Sequence, residues 1–380
     1  MFWPKLPGVA GPDMNKIFLV GPLDDGPLLQ SLLGQAPNRV PAVAPGYCLC
    51  SCREGRQVTY WPDDGENASG HVVELAQDRD EKLLEFFAAG LGLIGREIEV
   101  QVGSDPVDVL TFVDLPQGQC IAWDAQAWQD HWAPVLRRAT LEVRDHFGQI
   151  DARELAARMP TILARAASFC AGQDGGGRDG QGPSRVDVKE HRRPYTGFFS
   201  FQEYDLSFER FDGKMGPILT RGVLVAQDAA ILLPYDPVRD VVLLVEQFRI
   251  GHFGRGDANA WSLEPVAGIV DPGETPGQAA EREAREEAGV ELDQLIPVGG
   301  GYPSPGNSTE YHHNFVGLCS LPQEAAVTSG LASENEDIKG HIFPAEELFQ
   351  RAHAGKLENG PLNLLAFWLE LNRARLRGNA

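Results

Sequence analysis

The sequence has no long hydrophobic run. None of its 380 positions begins a stretch of 18 consecutive apolar residues, which is the length that a membrane-spanning helix needs. The first sixteen residues, MFWPKLPGVAGPDMNK, also lack the continuous apolar core of a signal peptide. We therefore expect a protein that makes no use of a membrane.

Cysteine is scarce as well. Six cysteines in a chain of this length are too few for a disulfide framework, so we expect reduced cysteines and a cytoplasmic location. Cys48, Cys50 and Cys52 would point to one face of a strand about 7 Å apart. A shared zinc ion would need a tighter turn, so we interpret them as small core residues.

Positive charge is outweighed by negative charge. The chain has 33 Lys and Arg residues against 54 Asp and Glu residues, which gives a net charge of -21. This balance argues against nucleic-acid binding, which needs a basic face to replace phosphate counterions. An anionic small-molecule substrate would need a bound metal and a few placed arginines to reverse the local field.

The chain is long enough for two domains. Short alternating strands dominate residues 15–120, followed by a helical connector at 121–170. Residues 171–184 are rich in Gly, Asp and Ser and are typical of a flexible linker. Strands interspersed with helices over 185–380 predict an α/β/α sandwich.

Two local patterns predict helices within the first part of the chain. Residues 78–90 have helical spacing inside a region that is otherwise strand-like. Asp151, with Glu154 three residues later, predicts the N-terminal cap of a second connector helix.

The densest carboxylate cluster lies in residues 268–290, GIVDPGETPGQAAEREAREEAGV. Glu283 and Glu287 lie four positions apart on one helical face, where like charges repel by about 0.2–0.5 kcal/mol. Glu286 adds a third carboxylate on the same turn. Such a cluster is typical of a site for a hard divalent ion, although a solvated helix held by pairs such as Arg282–Glu286 is an alternative.

The fixed positions of this segment resemble the Nudix box: glycine, five residues, Glu, seven residues, Arg-Glu, aliphatic, any, Glu-Glu, any, Gly, aliphatic. The matching residues are Gly268, Glu274, Arg282, Glu283, Ala284, Glu286, Glu287, Gly289 and Val290. The resemblance implies a diphosphate hydrolase that uses Mg²⁺ or Mn²⁺. It implies metal ligation by the Ala267 carbonyl, Glu283, Glu286 and Glu287, with Glu286 also assisting catalysis. Gly268, Glu274 and Arg282 would order the loop.

Segments outside the box resemble the ADP-ribose pyrophosphatase branch of that family. They include RPYTGFF at 193–199, EQFRI at 246–250, WSLEPVAG at 261–268 and the proline at 305. This resemblance implies cleavage of ADP-ribose to AMP and ribose 5-phosphate by a homodimer. Hydrolysis of another nucleoside diphosphate sugar and non-cleaving ADP-ribose binding stay open, although a sensor would be expected to lose box carboxylates.

The same resemblance implies a set of substrate contacts. The arginines would hold the diphosphate, the aromatic residues would stack on adenine, and the loop residues would reach the ribose. The ordinary alternatives are a surface ion pair, core packing and common loop polarity, respectively. The residues concerned are Arg249, Arg221, Tyr195, Phe199, Ser304 and Glu310.

The loop GLASENEDI at 330–338 resembles the one that supplies the general base in this family. Glu334 is the first choice for the base and Glu336 the second. A carboxylate can fill this role where a nearby metal has already made the attacking water acidic.

The N-terminal segment resembles the gamma-glutamylcyclotransferase-like β-barrel, through KIFLVGPL near the start and the Gly-Tyr pair at 46–47. The family's catalytic acid is missing, because LLEFFAAG places Ala88 at its position and Glu85 lies three residues earlier. We therefore expect an α+β protein with a non-catalytic barrel and helices at 15–120, a helical connector, and a C-terminal Nudix α/β/α sandwich.

Overall fold

The computed structural model describes residues 16–52, 57–75, 77–114, 121–174, 185–323 and 337–378. The chain divides into two compact units between residues 178 and 179. None of the helices in these described ranges is both long and apolar enough to cross a membrane.

The first unit contains a closed five-stranded barrel, as the sequence predicts. The barrel runs β2–β3–β1–β5–β4 and returns to β2, with β1 parallel to β5 and the other neighbours antiparallel. A short sixth strand pairs with β2 outside the closed circuit. The strands are β1 (Lys16–Leu19), β2 (Arg39–Cys52), β3 (Gln57–Glu74), β4 (Ile94–Val102), β5 (Asp105–Val113) and β6 (Ile121–Ala122).

Helices of the first unit share one core with the barrel. The segment expected as a connector contributes to this core, where Leu28, Leu84, Leu136 and Leu155 are fully buried. The helices are α1 (Gly26–Leu33), α2 (Asp78–Gly90), α3 (Ala125–His131), α4 (Ala133–His146) and α5 (Ala152–Asp174), with a 3-10 turn at Gly21–Asp24.

Local sequence patterns predicted the bounds of one of these helices and the N-terminal cap of another. Helix α2 has the bounds that the periodicity predicts. The Asp151 side chain accepts a hydrogen bond from the Glu154 backbone N–H at 2.8 Å, which is the predicted cap of α5. Helix α5 continues to Asp174, four residues into the expected linker, because the helix-compatible residues of this stretch precede the glycine run.

Two side chains of the first unit bear on its expected chemistry. Ala88 is fully buried in α2 and Glu85 is exposed, so the position that holds the family's acid faces the core here. The cyclotransferase-like character of the barrel stays a prediction.

The expectation of wholly reduced cysteines is wrong for Cys50, which is disulfide-bonded in this structure. A cysteine count does not report which sulfurs the fold brings together.

The second unit has two sheets. One is an antiparallel sheet of three strands in the order β7–β8–β9. The other is a mixed sheet of seven strands, in which β10 is parallel to β15 and pairs antiparallel with β11 and β13. The strands are β7 (Val186–Thr196), β8 (Ser200–Phe208), β9 (Leu219–Val225), β10 (Ala229–Asp236), β11 (Val241–Phe248), β12 (Trp261–Glu264), β13 (Val266–Ile269), β14 (Gln294–Gly301), β15 (His312–Leu318) and β16 (Lys339–Pro344).

Helices cover both faces of the seven-stranded sheet, which confirms the predicted α/β/α sandwich. Because successive strand residues face opposite ways, Leu232 of β10 packs with α7 and Leu233 packs with α8 and α9. The helices are α6 (Ile250–Arg255), α7 (Pro276–Ala288), α8 (Ala345–His353) and α9 (Gly360–Gly378).

The ends of α7 are defined by its own sequence. Thr275 and Gln278 form a capping box, in which each side chain accepts a hydrogen bond from the other residue's backbone N–H, and Pro276 begins the first turn. Gly289 ends the helix with φ of 64°, a left-handed conformation that glycine adopts without strain. These signals fix which turn of the helix carries the glutamates.

Candidate active site

Arg282 connects the acidic helix to the strand and loop that precede it. Its guanidinium donates to both carboxylate oxygens of Glu274, each at 3.1 Å, and to the Ile269 carbonyl at 3.0 Å. Gly273, with φ of 90°, turns the chain just before Glu274. This is the arrangement that a loop-ordering role for Arg282 and Glu274 requires.

The same guanidinium draws two helix carboxylates together. Its Nη1 donates to Glu283 Oε1 at 2.6 Å and to Glu286 Oε2 at 3.0 Å. Burial by itself would lower the pKa of Arg282, but its bonds to Glu274 and Glu283 raise the pKa above its usual value, so the group stays charged. The Arg282–Glu286 pair of the alternative interpretation thus exists, but as one part of a larger network.

Glu287 lies deepest among the helix carboxylates. It is only 3% exposed, and its Oε2 accepts a hydrogen bond from the Ala267 backbone N–H at 3.1 Å. Ala267 is held in turn by β13, whose register places it opposite Ile231 of β10. The helix and the strand proposed to provide metal ligands are therefore in direct contact.

Gly268 is required by the close approach of Glu283. A Cβ atom added at Gly268 would lie 1.7 Å from Glu283 Oε1 and 2.1 Å from the carboxylate carbon. No side chain can occupy that space unless Glu283 moves away. The first glycine of the motif therefore creates the room for its carboxylate.

The donor chemistry fits a hard divalent ion. Glu283, Glu286, Glu287 and the Ala267 carbonyl offer oxygen ligands at one strand–helix junction, and oxygen is the donor that Mg²⁺ prefers. In the described part of the chain, no three acidic, His or Cys side chains already form a ligand cage. The cation that joins Glu283 and Glu286 in this structure is the Arg282 guanidinium.

Arg249 is held by an acid that the sequence analysis did not single out. Its Nε and Nη2 donate to the Glu264 carboxylate at 3.0 and 2.7 Å, and the Glu264 side chain is only 7% exposed. Glu264 lies on β12, opposite Val245 of β11. The partner is therefore a buried acid and not the surface acid of the alternative interpretation. The sequence signal that could have identified Glu264 is an acid within the mostly apolar segment WSLEPV.

The other proposed contacts on the three-stranded sheet are exposed. Tyr195 is 63% exposed and Phe199 is 38% exposed, so neither packs into the core. Arg221 lies on β9 opposite Tyr204, and its side chain is also exposed. These three side chains are available to a ligand.

The loop with Ser304 and Glu310 is fastened to the end of β9. The Leu224 N–H donates to the Asn307 carbonyl at 2.8 Å, and the Thr309 N–H donates to the Leu224 carbonyl at 3.0 Å. Glu310 lies 3.3 Å from His312 Nε2. The structure thus brings this loop to the strand that carries Arg221. Glu334 and Glu336 lie outside the described residues.

Comparison with known proteins identifies the family of the second unit. Residues 225–364 match the model of the NUDIX domain. The ADP-ribose pyrophosphatase of Escherichia coli (strain K12) is 36% identical over 196 residues, which cover 52% of this chain and 93% of that protein. The Haemophilus influenzae ADP-ribose pyrophosphatase is 36% identical over 194 residues, 50% of this chain and 89% of that protein. The chain belongs to the Nudix family, in its ADP-ribose pyrophosphatase branch.

A second group of relatives matches less of the chain. The GDP-mannose pyrophosphatase of Salmonella arizonae is 29% identical over 145 residues, which cover 38% of this chain and 74% of that protein. Identity and coverage are both lower than for the ADP-ribose pyrophosphatases.

Substitution of Gly268 by alanine tests the close approach of Glu283. The new Cβ should displace the Glu283 carboxylate, so we expect Mg²⁺ affinity to fall by at least about tenfold, as for displacement of a metal-site group. Because the displacement also breaks the bond between Glu283 and Arg282, the free energy of unfolding should fall by about 1–3 kcal/mol, which leaves the protein folded. Calorimetric titration with Mg²⁺ and urea unfolding measure the two quantities.

Gly277→Ala is the matched control, because a Cβ at that helical position meets Leu295 at an ordinary 3.4 Å. Its Mg²⁺ affinity should equal that of the unmodified protein. Unchanged affinity in Gly268→Ala would show that Glu283 is not a ligand in its present position.

Proposed function

We propose that the protein is a Mg²⁺- or Mn²⁺-dependent Nudix hydrolase that cleaves the diphosphate of ADP-ribose to AMP and ribose 5-phosphate. The observation that carries the proposal is the intact acidic turn, in which Arg282 donates to Glu283 and the Ile269 carbonyl, and Glu287 accepts from Ala267. The similarity to two ADP-ribose pyrophosphatases over nearly their whole length supports this substrate above others.

Each group at the strand–helix junction has a distinct part in this proposal. Glu283, Glu286, Glu287 and the Ala267 carbonyl would hold the divalent ion. When bound, that ion would neutralise the diphosphate and lower the pKa of a coordinated water. Arg249, fixed in orientation by Glu264, would hold the diphosphate, since a planar guanidinium suits phosphate oxygens.

The remaining contacts would select the nucleoside and start the reaction. Tyr195 or Phe199 would stack on adenine, with Arg221 beside the diphosphate and the Ser304–Glu310 loop near the ribose. Glu334, or Glu336 in its place, would take the proton from the attacking water. Phosphoryl transfer depends mainly on such positioning and charge stabilisation.

Another nucleoside diphosphate sugar is the second candidate substrate. The observation that favours it is the similarity to a GDP-mannose pyrophosphatase over 145 residues. A protein that binds ADP-ribose without cutting it is the third candidate. The complete set of box carboxylates argues against a non-cleaving sensor, because a protein that only binds ADP-ribose does not need a catalytic metal ion.

A substrate panel with Mg²⁺ tests the assignment directly. We expect the purified full-length protein to hydrolyse ADP-ribose with a higher kcat/KM than GDP-mannose, other ADP-sugars or NADH. Glu283→Gln should lower kcat/KM by about 10²-fold, because a ligand charge is lost where transition-state charge develops. Release of AMP, measured by chromatography, provides the readout.

Glu281→Gln serves as the matched control, since Glu281 is an exposed acid on the same helix. Its kcat/KM should stay within a factor of about two of the unmodified value. Measurable ADP-ribose binding without hydrolysis of any compound in the panel would exclude the enzyme and favour the sensor.

Separate substitutions resolve the choice of base. We expect Glu334→Gln to lower kcat by about 10²- to 10⁴-fold with little change in KM, because a general base acts in the transition state. Glu336→Gln should have the smaller effect. The reverse order would move the role to Glu336, and two weak effects would place the base outside this loop.

We also propose a homodimer formed through the second unit. Large apolar side chains are exposed on its three-stranded sheet, including Val186 at 55%, Val188 at 52% and Phe208 at 42%. Exposed apolar patches of this kind commonly mark interaction surfaces. Sedimentation equilibrium should give twice the chain mass of 41.4 kDa, and a monomer at micromolar concentration would contradict the proposal.

A further inference from the structure

A cavity lies on the face of the seven-stranded sheet that points away from α7. It has a volume of about 320 Å³ and is bounded by β11, β12, β16, helix α8 and the chain that follows α8. Small-molecule sites usually occupy about 300–1,000 Å³, so the cavity is large enough for a compact ligand.

Strand register separates this cavity from the candidate active site. Glu246 lies opposite Leu263, and both line the cavity, whereas the neighbouring pair of Val245 and Glu264 faces α7. Arg249, which binds Glu264, therefore belongs to the other face. The two sites share strands β11 and β12 but open on opposite sides of the sheet.

The cavity has a mixed lining, in which polar side chains outnumber four apolar ones, two of them aromatic. Trp261 is 42% exposed, and Phe343 has the Arg351 guanidinium 4.8 Å above its ring. Leu263 and Leu357 add aliphatic surface to the lining. A flat ring is the ligand group that such surfaces bury best.

Within the described ranges, the charged side chains that line the cavity have ion-pair partners, with one exception. Glu246 accepts from His341 at 2.9 Å, and Arg351 donates two hydrogen bonds to Glu347, which lies outside the cavity. Glu358 at the rim is 4.0 Å from His252. The Lys356 ammonium makes no ion pair within the described ranges. Within those ranges, Lys356 therefore gives the cavity a positive charge that no ion pair neutralises.

We propose that this cavity is a second ligand site, specific for a small aromatic anion. The ring of the ligand packs against the half-exposed Trp261, and its phosphate or carboxylate meets Lys356, which binds such anions as a point charge. The proposal does not depend on the hydrolase activity, because binding here needs neither the acidic turn nor Arg249.

Titration calorimetry of the full-length protein with phenyl phosphate tests the site. This probe carries one ring and one phosphate and has no diphosphate to cleave. We expect saturable binding that weakens about tenfold in Lys356→Gln, as for the loss of one charge-assisted contact. Trp261→Leu should weaken binding by removing one aromatic wall, while inorganic phosphate, which has no ring, should bind more weakly than phenyl phosphate. Benzoate as a parallel probe distinguishes a carboxylate ligand from a phosphate ligand.

Lys214→Gln is the matched control, because it removes an exposed lysine from a hairpin elsewhere in the same unit. Its affinity for phenyl phosphate should equal that of the unmodified protein. Absence of saturable binding at concentrations of about 10 mM would overturn the proposal. Equal binding by Lys356→Gln would overturn it too, and binding lost only in Arg249→Gln would place the probe in the catalytic cleft instead.

Discussion

The candidate site depends on one guanidinium, that of Arg282. It bonds the Ile269 carbonyl on the strand, Glu274 in the loop and Glu283 on the helix. Without it, these three elements would lose their common donor, and carboxylates only one turn apart would repel one another. The charge of Arg282 is secure, because its ion pairs raise its pKa despite burial. The arginine therefore makes it possible to assemble the acidic turn before any other cation arrives.

This arrangement leaves little positive charge for an anionic substrate. Arg282 is shared among three carboxylates, and Arg249 is matched by the buried Glu264. The junction of strand and helix thus carries more negative than positive charge, in a chain whose net charge is already -21. A diphosphate could bind there only with further positive charge, and bound cations are often the largest local charges in such sites. The electrostatics of the chain thus support the proposed divalent ion independently of family resemblance.

The features that could be predicted from the sequence are those that depend on residues close together in the chain. The span of α2, the cap of α5 and the acidic helix follow from residues within a few positions of one another. The partner of Arg249 could not be predicted in this way, because Glu264 is fifteen residues away and reaches it only through the register of β11 and β12. The cavity beside Lys356 likewise depends on distances that no local pattern contains.

The central strand β10 explains why the two halves of the proposed site come together. Its first half pairs with β13, which carries Ala267, and its last residues pair with β11, which leads to Arg249. Glu264, at the end of β12, is only three residues before Ala267, so their Cα atoms are at most about 11 Å apart. The group that orients Arg249 and the carbonyl proposed to bind metal are therefore fixed on one short, nearly rigid piece of backbone. A diphosphate held by Arg249 and an ion bound by the Ala267 carbonyl would thus depend on the same chain segment, residues 264–267.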